Sequence, residues 1–190
     1  MILTIPSYYI GKNRLSLRHK VKTFYKGSPR SYNYSSILLQ MNKNKIIVAG
    51  IGPGSPEDIT PAVLQAVQAS DVIVGYKYYF RFIKEYLRPD ALCIDSGMKA
   101  ERQRAEEAFR YALEGKTVCV ISSGDAGIYG MSPLIYEMMR EKGVTDQVEV
   151  EVLPGISAFQ KAAALLGCPI GHDLCIISLS DLMTPWLRIE

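Results

Sequence analysis

Histidine is almost absent. His19 and His172 are the only two in 190 residues. The four cysteines, Cys93, Cys119, Cys168 and Cys175, never fall in C-x-x-C spacing. A Cys/His zinc centre therefore lacks ligands, and no metal site is expected. Three of the cysteines lie inside apolar runs (ALCI, TVCVI, LCII), where cysteine behaves as a small buried hydrophobe. Free core thiols in a reducing, cytoplasmic compartment are the expectation. No apolar run approaches the ~20 residues that span a bilayer, so no membrane partner is expected. The opening MILTIPSYYIGKNR has no basic segment ahead of an apolar core, so a secretory signal is not expected either.

Acidic residues are missing from one end. Residues 1–40 carry seven Lys/Arg and no Asp or Glu, whereas residues 41–190 carry 15 basic and 19 acidic residues. A basic arm can bind nucleic acid, but this one lacks interleaved aromatics or a recognition motif, and nucleic acid is not expected as a partner. Like charges without periodicity read as a disordered extension over residues 1–44. Met41, followed by NKNK and an apolar run, reads as a natural start. Over the whole chain, 48% hydrophobic and 22% charged residues are the balance of an ordinary folded domain.

From Lys45 the pattern becomes regular. KIIVAGI, DVIVGY, ALCID, TVCVIS and QVEVEVL read as five strands, most of them continuous apolar runs. Helical segments fall between them. Thr60 and Pro61 form an N-cap followed by proline in the first turn. Residues 77–90 read as a helix stopped before Pro89. Ala105, Ala108, Phe109, Ala112 and Leu113 make an apolar stripe closed by Gly115. Met131, Leu134, Ile135, Met138 and Met139 repeat that spacing and read as core. A helix over 156–167 follows Pro154-Gly155. After CPIGHD, LCIISLS (174–180) reads as a sixth strand. Strand–helix alternation predicts an α/β fold, a five-stranded mostly parallel sheet with helices on both faces. The sixth strand would open a second, truncated α/β domain. The domain reading is an N-terminal α/β domain over 45–167 and a linker and second-domain start over 168–190.

Ligands of open parallel sheets bind beyond the carboxyl ends of the strands. Three unusual loops fall at such ends: GIGPGS, SSGDAGIYG and LPGISAF. The first is a poor dinucleotide loop, because G-x-G-x-x-G needs glycine where Ser55 stands. Proline in the turn and a helix delayed to Thr60 also keep a helix N-terminus away from a pyrophosphate. Asp71 opens the second strand, whereas a ribose-binding acid belongs near its end. In the second loop, Asp125 either bonds ligand hydroxyls or a cationic group, or closes a turn on its own backbone. In the third, Ser157 either caps a helix or contacts a ligand.

GIGPGSPEDITPAVLQAV, SSGDAGIYGM, PGISAFQKAAALLG and GHDLCIISLSDLMTPW together resemble the tetrapyrrole methyltransferases of cobalamin biosynthesis, from about Lys45 to Glu190. Within that family the second and fourth segments resemble the members that methylate C-17 of precorrin-3B or cobalt-factor III and contract the ring. The resemblance implies S-adenosyl-L-methionine as cofactor, held in a cleft between two α/β domains. It places Gly52, Pro53, Gly54, Gly124, Asp125, Ile128, Tyr129, Gly155, Ser157 and Ala158 at the cofactor. It names no catalytic base. It further implies a corrin-precursor substrate and a homodimer for the full-length protein. Because the second domain is cut short here, the chain is expected to be an inactive fragment. The competing expectation is a non-catalytic α/β ligand-binding or interaction module.

Overall fold

A computed structural model describes residues 44–177. Residues 1–43 and 178–190 lie outside the described residues, and with them the basic extension and the second half of LCIISLS.

Five strands alternate with helices: β1 Lys45–Gly50, α1 Pro61–Ala69, β2 Val72–Tyr76, α2 Phe80–Ile83, β3 Leu92–Ser96, α3 Glu101–Leu113, β4 Thr117–Ser122, α4 Ser132–Glu141, β5 Glu149–Leu153 and α5 Ala158–Leu165. The strands form one sheet in the order β3-β2-β4-β1-β5, and every pairing is parallel. Side chains alternate across it, as the two-residue period of a strand requires. Ile46, Val48, Val118 and Val120 pack with Ala105, Phe109, Ile135 and Met138 on one face. Ala49, Ile73, Cys119 and Ile121 pack with Val63 and Val67 on the other. The methionine stripe of α4 is core, with Met138 buried. Thr60 caps α1, its Oγ1 accepting from the Val63 N–H at 3.3 Å.

Four expectations need correction. Residues 77–90 do not form one helix: α2 is a single turn flanked by 3-10 turns at Lys77–Tyr79 and Lys84–Tyr86. A run of aromatics loses side-chain freedom in a helix, and here the rings pack on one another instead. Leu113 is 44% exposed, because eight residues carry it well round the helix from Ala105 while seven return Ala112 to the stripe. β3 is an edge strand, so Leu92 and Cys93 are exposed although their run is apolar. Leu174–Ile177 is irregular chain with no ladder partner among the described residues. Backbone outside a ladder stays at the surface, and Cys175 is exposed with it.

Only Cys119 is therefore a core thiol, and burial pushes its pKa up from 9.0 to about 12. Keeping it neutral favours the folded state with no pH dependence below about pH 9, and that contribution falls away as pH rises from 9 toward 12. In a thiol titration at pH 8, Cys93, Cys168 and Cys175 should react and Cys119 should stay silent until denaturant is added. Reaction of Cys119 in the native protein would contradict the packing at the sheet centre.

No helix among the described residues is long and apolar enough to cross a membrane. Among the described residues no group of three or more His, Cys, Asp or Glu gathers in a way that could hold a metal ion.

Candidate functional site

The three unusual loops leave three adjacent strands. β5, β1 and β4 lie side by side in register, Ala49 level with both Leu153 and Ile121. Their carboxyl ends therefore open onto one edge, and the loops form a continuous row there. The first two loops are stitched backbone to backbone. The Ile51 N–H donates to the Ser122 carbonyl at 2.9 Å, and Gly52 and Gly124 exchange bonds of 3.1 and 2.8 Å. Gly52 and Gly124 both have positive φ, 76° and 65°, which suits residues without a Cβ.

The third loop fits because glycines face each other across the seam. A Cβ on Gly155 would stand 2.2 Å from the Gly124 oxygen and 2.4 Å from the Gly50 oxygen. Those neighbours are backbone, so no side chain can swing aside. A Cβ on Gly50 would meet the same wall, 2.6 Å from the Gly124 oxygen.

Asp125 buckles the row together. Its Oδ1 accepts from the Gly127 and Ile128 N–H groups at 2.8 and 3.1 Å. Its Oδ2 accepts from the Gly155 N–H at 3.0 Å. Of the two readings open at Asp125, the local turn is present, and with it a tie to the third loop. Ile128 and Tyr129 stand outward from that turn, 40% and 64% exposed. Tyr129 has φ 52°, a strained value for a non-glycine residue, and its hydroxyl donates to the Ile176 carbonyl at 3.1 Å. Below the turn, the Ser132 hydroxyl donates to the Ala126 carbonyl at 2.6 Å and fixes the start of α4.

Ser157 precedes α5. Gln160 Oε1 accepts from the Ser157 N–H at 2.8 Å. Ser157 and Gln160 thus stand in a capping-box arrangement, the Ser157 side chain facing the Gln160 N–H. That approach falls short of a hydrogen bond: Ser157 is only 4% exposed, and its Oγ has no hydrogen-bond partner among the described residues. An orphaned buried hydroxyl is costly and asks for a reason. Ala158, the first helical residue, is exposed beside it. Pro53 and Gly54 are half-buried in the first loop.

Two members of the site escaped the sequence reading. Lys161 Nζ pairs with both carboxylate oxygens of Asp58, at 3.0 and 2.9 Å, tying α5 to the turn after the first loop. Phe82 lies against Gly54, its Cζ 3.6 Å from where a Cβ would be. No local pattern announces either contact, because both join segments far apart in the chain. The sequence-predicted residues Gly52, Pro53, Gly54, Gly124, Asp125, Ile128, Tyr129, Gly155, Ser157 and Ala158 all sit on this one row. None of the loop residues 50–55, 122–131 or 154–158 is Lys, Arg or His. The row thus offers a ligand backbone groups and a hydroxyl rather than cationic side chains.

Comparisons with known proteins show the family and the fold. The family model of the tetrapyrrole (corrin/porphyrin) methylases matches residues 45–190. The cobalt-factor III methyltransferase of Priestia megaterium is 53% identical over 150 residues, which are 78% of this chain and 28% of that protein. The probable cobalt-factor III C(17)-methyltransferase of Salmonella typhimurium is 46% identical over 143 residues, 75% of this chain and 58% of that protein. The crystal structure of the methyltransferase CobJ superposes with a TM-score of 0.70 at 37% identity, covering 76% of this chain and 59% of that one. The chain thus spans between 28% and 58% of the length of these two relatives.

Proposed function

The chain belongs to the tetrapyrrole (corrin/porphyrin) methylases, and from that premise we propose that its loop row is the S-adenosylmethionine site of an enzyme that methylates C-17 of a corrin precursor. The substrate in this reading is precorrin-3B or cobalt-factor III, and methylation accompanies ring contraction in cobalamin biosynthesis. The observation that carries the reading is the conjunction of a glycine-lined seam without basic side chains with the unpartnered, buried hydroxyl of Ser157. The cofactor carries a sulfonium and no phosphate, so a row without basic side chains fits it.

When bound, the cofactor supplies a methyl group already activated by its sulfonium. The chain has only to hold and align. Gly52, Pro53 and Gly54 offer a tightly turned edge over the first strand. Gly124 and Gly155 let backbone groups approach closely, while Asp125 keeps the second and third loops in register. Ser157 has a hydroxyl free to bond a polar group of the cofactor, and Ile128, Tyr129 and Ala158 present exposed surface beside it. Alignment of this kind supplies most of what a methyl transfer needs.

Isothermal titration of the 190-residue chain with S-adenosylhomocysteine tests the reading. Ser157→Ala should leave thermal stability within about 0.5 kcal/mol. It should weaken S-adenosylhomocysteine binding by about three- to tenfold, the loss of one neutral hydrogen bond. A clear fall in stability with unchanged affinity would make Ser157 a helix cap and nothing more.

A further inference from the structure

The segment from Tyr76, the last residue of β2, to Phe82 leaves a strand that lies next to β4 in the sheet. It therefore extends the loop row by one strand. Its rings form a fixed surface. Tyr76 meets Tyr79 edge to face at 5.2 Å between centroids, and Tyr78 meets Phe82 likewise at 5.8 Å. Phe82 touches the first loop at Gly54, while Tyr78 is 51% exposed. The guanidinium of Arg81 lies over both rings of the second pair, 4.8 Å from the Tyr78 centroid and 5.3 Å from that of Phe82. Its Nη1 donates to the Tyr78 hydroxyl at 2.7 Å.

The state of that guanidinium matters. Arg88, Arg102, Arg104 and Arg110 each pair with a carboxylate of the chain. Among the described residues no ion pair joins a carboxylate to Arg81 or Arg140, and Arg140 lies in the last turn of α4, away from the loop row. An arginine has five donors in a rigid fork, and one of them is engaged here by a neutral hydroxyl. Over residues 76–86 Lys77 and Lys84 accompany Arg81, with a single acid, Glu85. The exposed ring and the unneutralised cation are held rigid by contacts to each other and to the first loop.

We propose that Tyr78, Arg81 and Phe82 form the substrate-side wall of the site, with the Arg81 fork receiving a peripheral carboxylate of the macrocycle. This rests on the function proposed above and adds the residues that read the substrate. A flat conjugated ring bearing carboxylates matches both halves of the surface. The ring meets aromatic faces and a guanidinium plane, and a carboxylate takes the free parallel donors of Arg81.

The probe is uroporphyrin, a flat macrocycle with eight carboxylates, titrated by Soret absorbance into the 190-residue chain. A porphyrin bearing four cationic N-methylpyridyl groups serves as the charge-reversed control. Arg81→Ala should weaken uroporphyrin binding by about tenfold or more, and should not weaken binding of the cationic porphyrin. Arg81→Lys should recover part of the loss, since it keeps the charge without the fork. S-Adenosylhomocysteine affinity should stay within about twofold in both variants, which also reports that they are folded. Unchanged uroporphyrin affinity in Arg81→Ala overturns the proposal. So does an equal loss for the cationic porphyrin, or a wild-type chain that binds S-adenosylhomocysteine but not uroporphyrin. Binding of neither ligand by the wild-type chain overturns the proposed function's placement of the cofactor on the loop row.

Discussion

Replacing Gly155 by alanine is expected to be the most damaging single-methyl change in the site. The new Cβ would stand 2.2 Å from one backbone oxygen and 2.4 Å from another. Overpacking costs about 1–3 kcal/mol when side chains can yield, and here the neighbours are carbonyls at the ends of two central strands. The third loop must move out of the seam. That motion would break the Gly155 N–H bond to Asp125 and carry Ser157 with it. Thermal unfolding should report a loss at or above the upper end of that range, and S-adenosylhomocysteine binding should fall below detection. Gly143→Ala is the control. Gly143 follows α4, with φ 65° and open space where a Cβ would go, so it pays backbone strain without a clash and should bind normally. Normal binding by Gly155→Ala would mean that the seam is not as close as described.

Asp125→Ala is expected to cost about 1–3 kcal/mol, because three backbone donors lose their acceptors at once. The second and third loops would then no longer be held in register. Affinity for S-adenosylhomocysteine should drop together with stability, as befits a residue that acts by positioning the loops. Asp125→Asn separates the two duties. Its carbonyl oxygen can still accept from Gly127 and Ile128, but its amide would face the Gly155 N–H as donor against donor. The asparagine variant should therefore recover much of the stability and little of the affinity. Full recovery of both by asparagine would show that the tie to Gly155 is dispensable.

The sequence made the sheet and its loops legible for a simple reason. Continuous β-branched runs closed by glycine mark buried strands and their ends, and KIIVAGI and TVCVIS needed no tertiary information. Elements whose fate depends on neighbours were not legible. ALCID has the composition of a core strand but lies at the edge of the sheet. LCIISLS has the same composition, yet Leu174–Ile177 finds no ladder partner among the described residues. Residues 77–90 have helical length, but ring packing breaks them into turns. At the candidate site, local pattern singled out three glycine-bearing loops at strand ends, and the structure brings them together on one edge. The pattern did not reveal that β5, β1 and β4 stand side by side, which is what joins the loops. Nor did it show that Asp125 reaches across to Gly155, or that Lys161 reaches Asp58. Those contacts exist only once the strand order is fixed.

The account stands or falls on whether the β5-β1-β4 loop row is where the methyl donor sits. Hydrogen–deuterium exchange of the 190-residue chain, with and without S-adenosylhomocysteine, measures this directly. The predicted result is added protection confined to residues 51–55, 123–130 and 154–158, with the far edge of the sheet around residues 141–148 unchanged. Protection centred elsewhere, or none at a ligand concentration that saturates calorimetric binding, would contradict it.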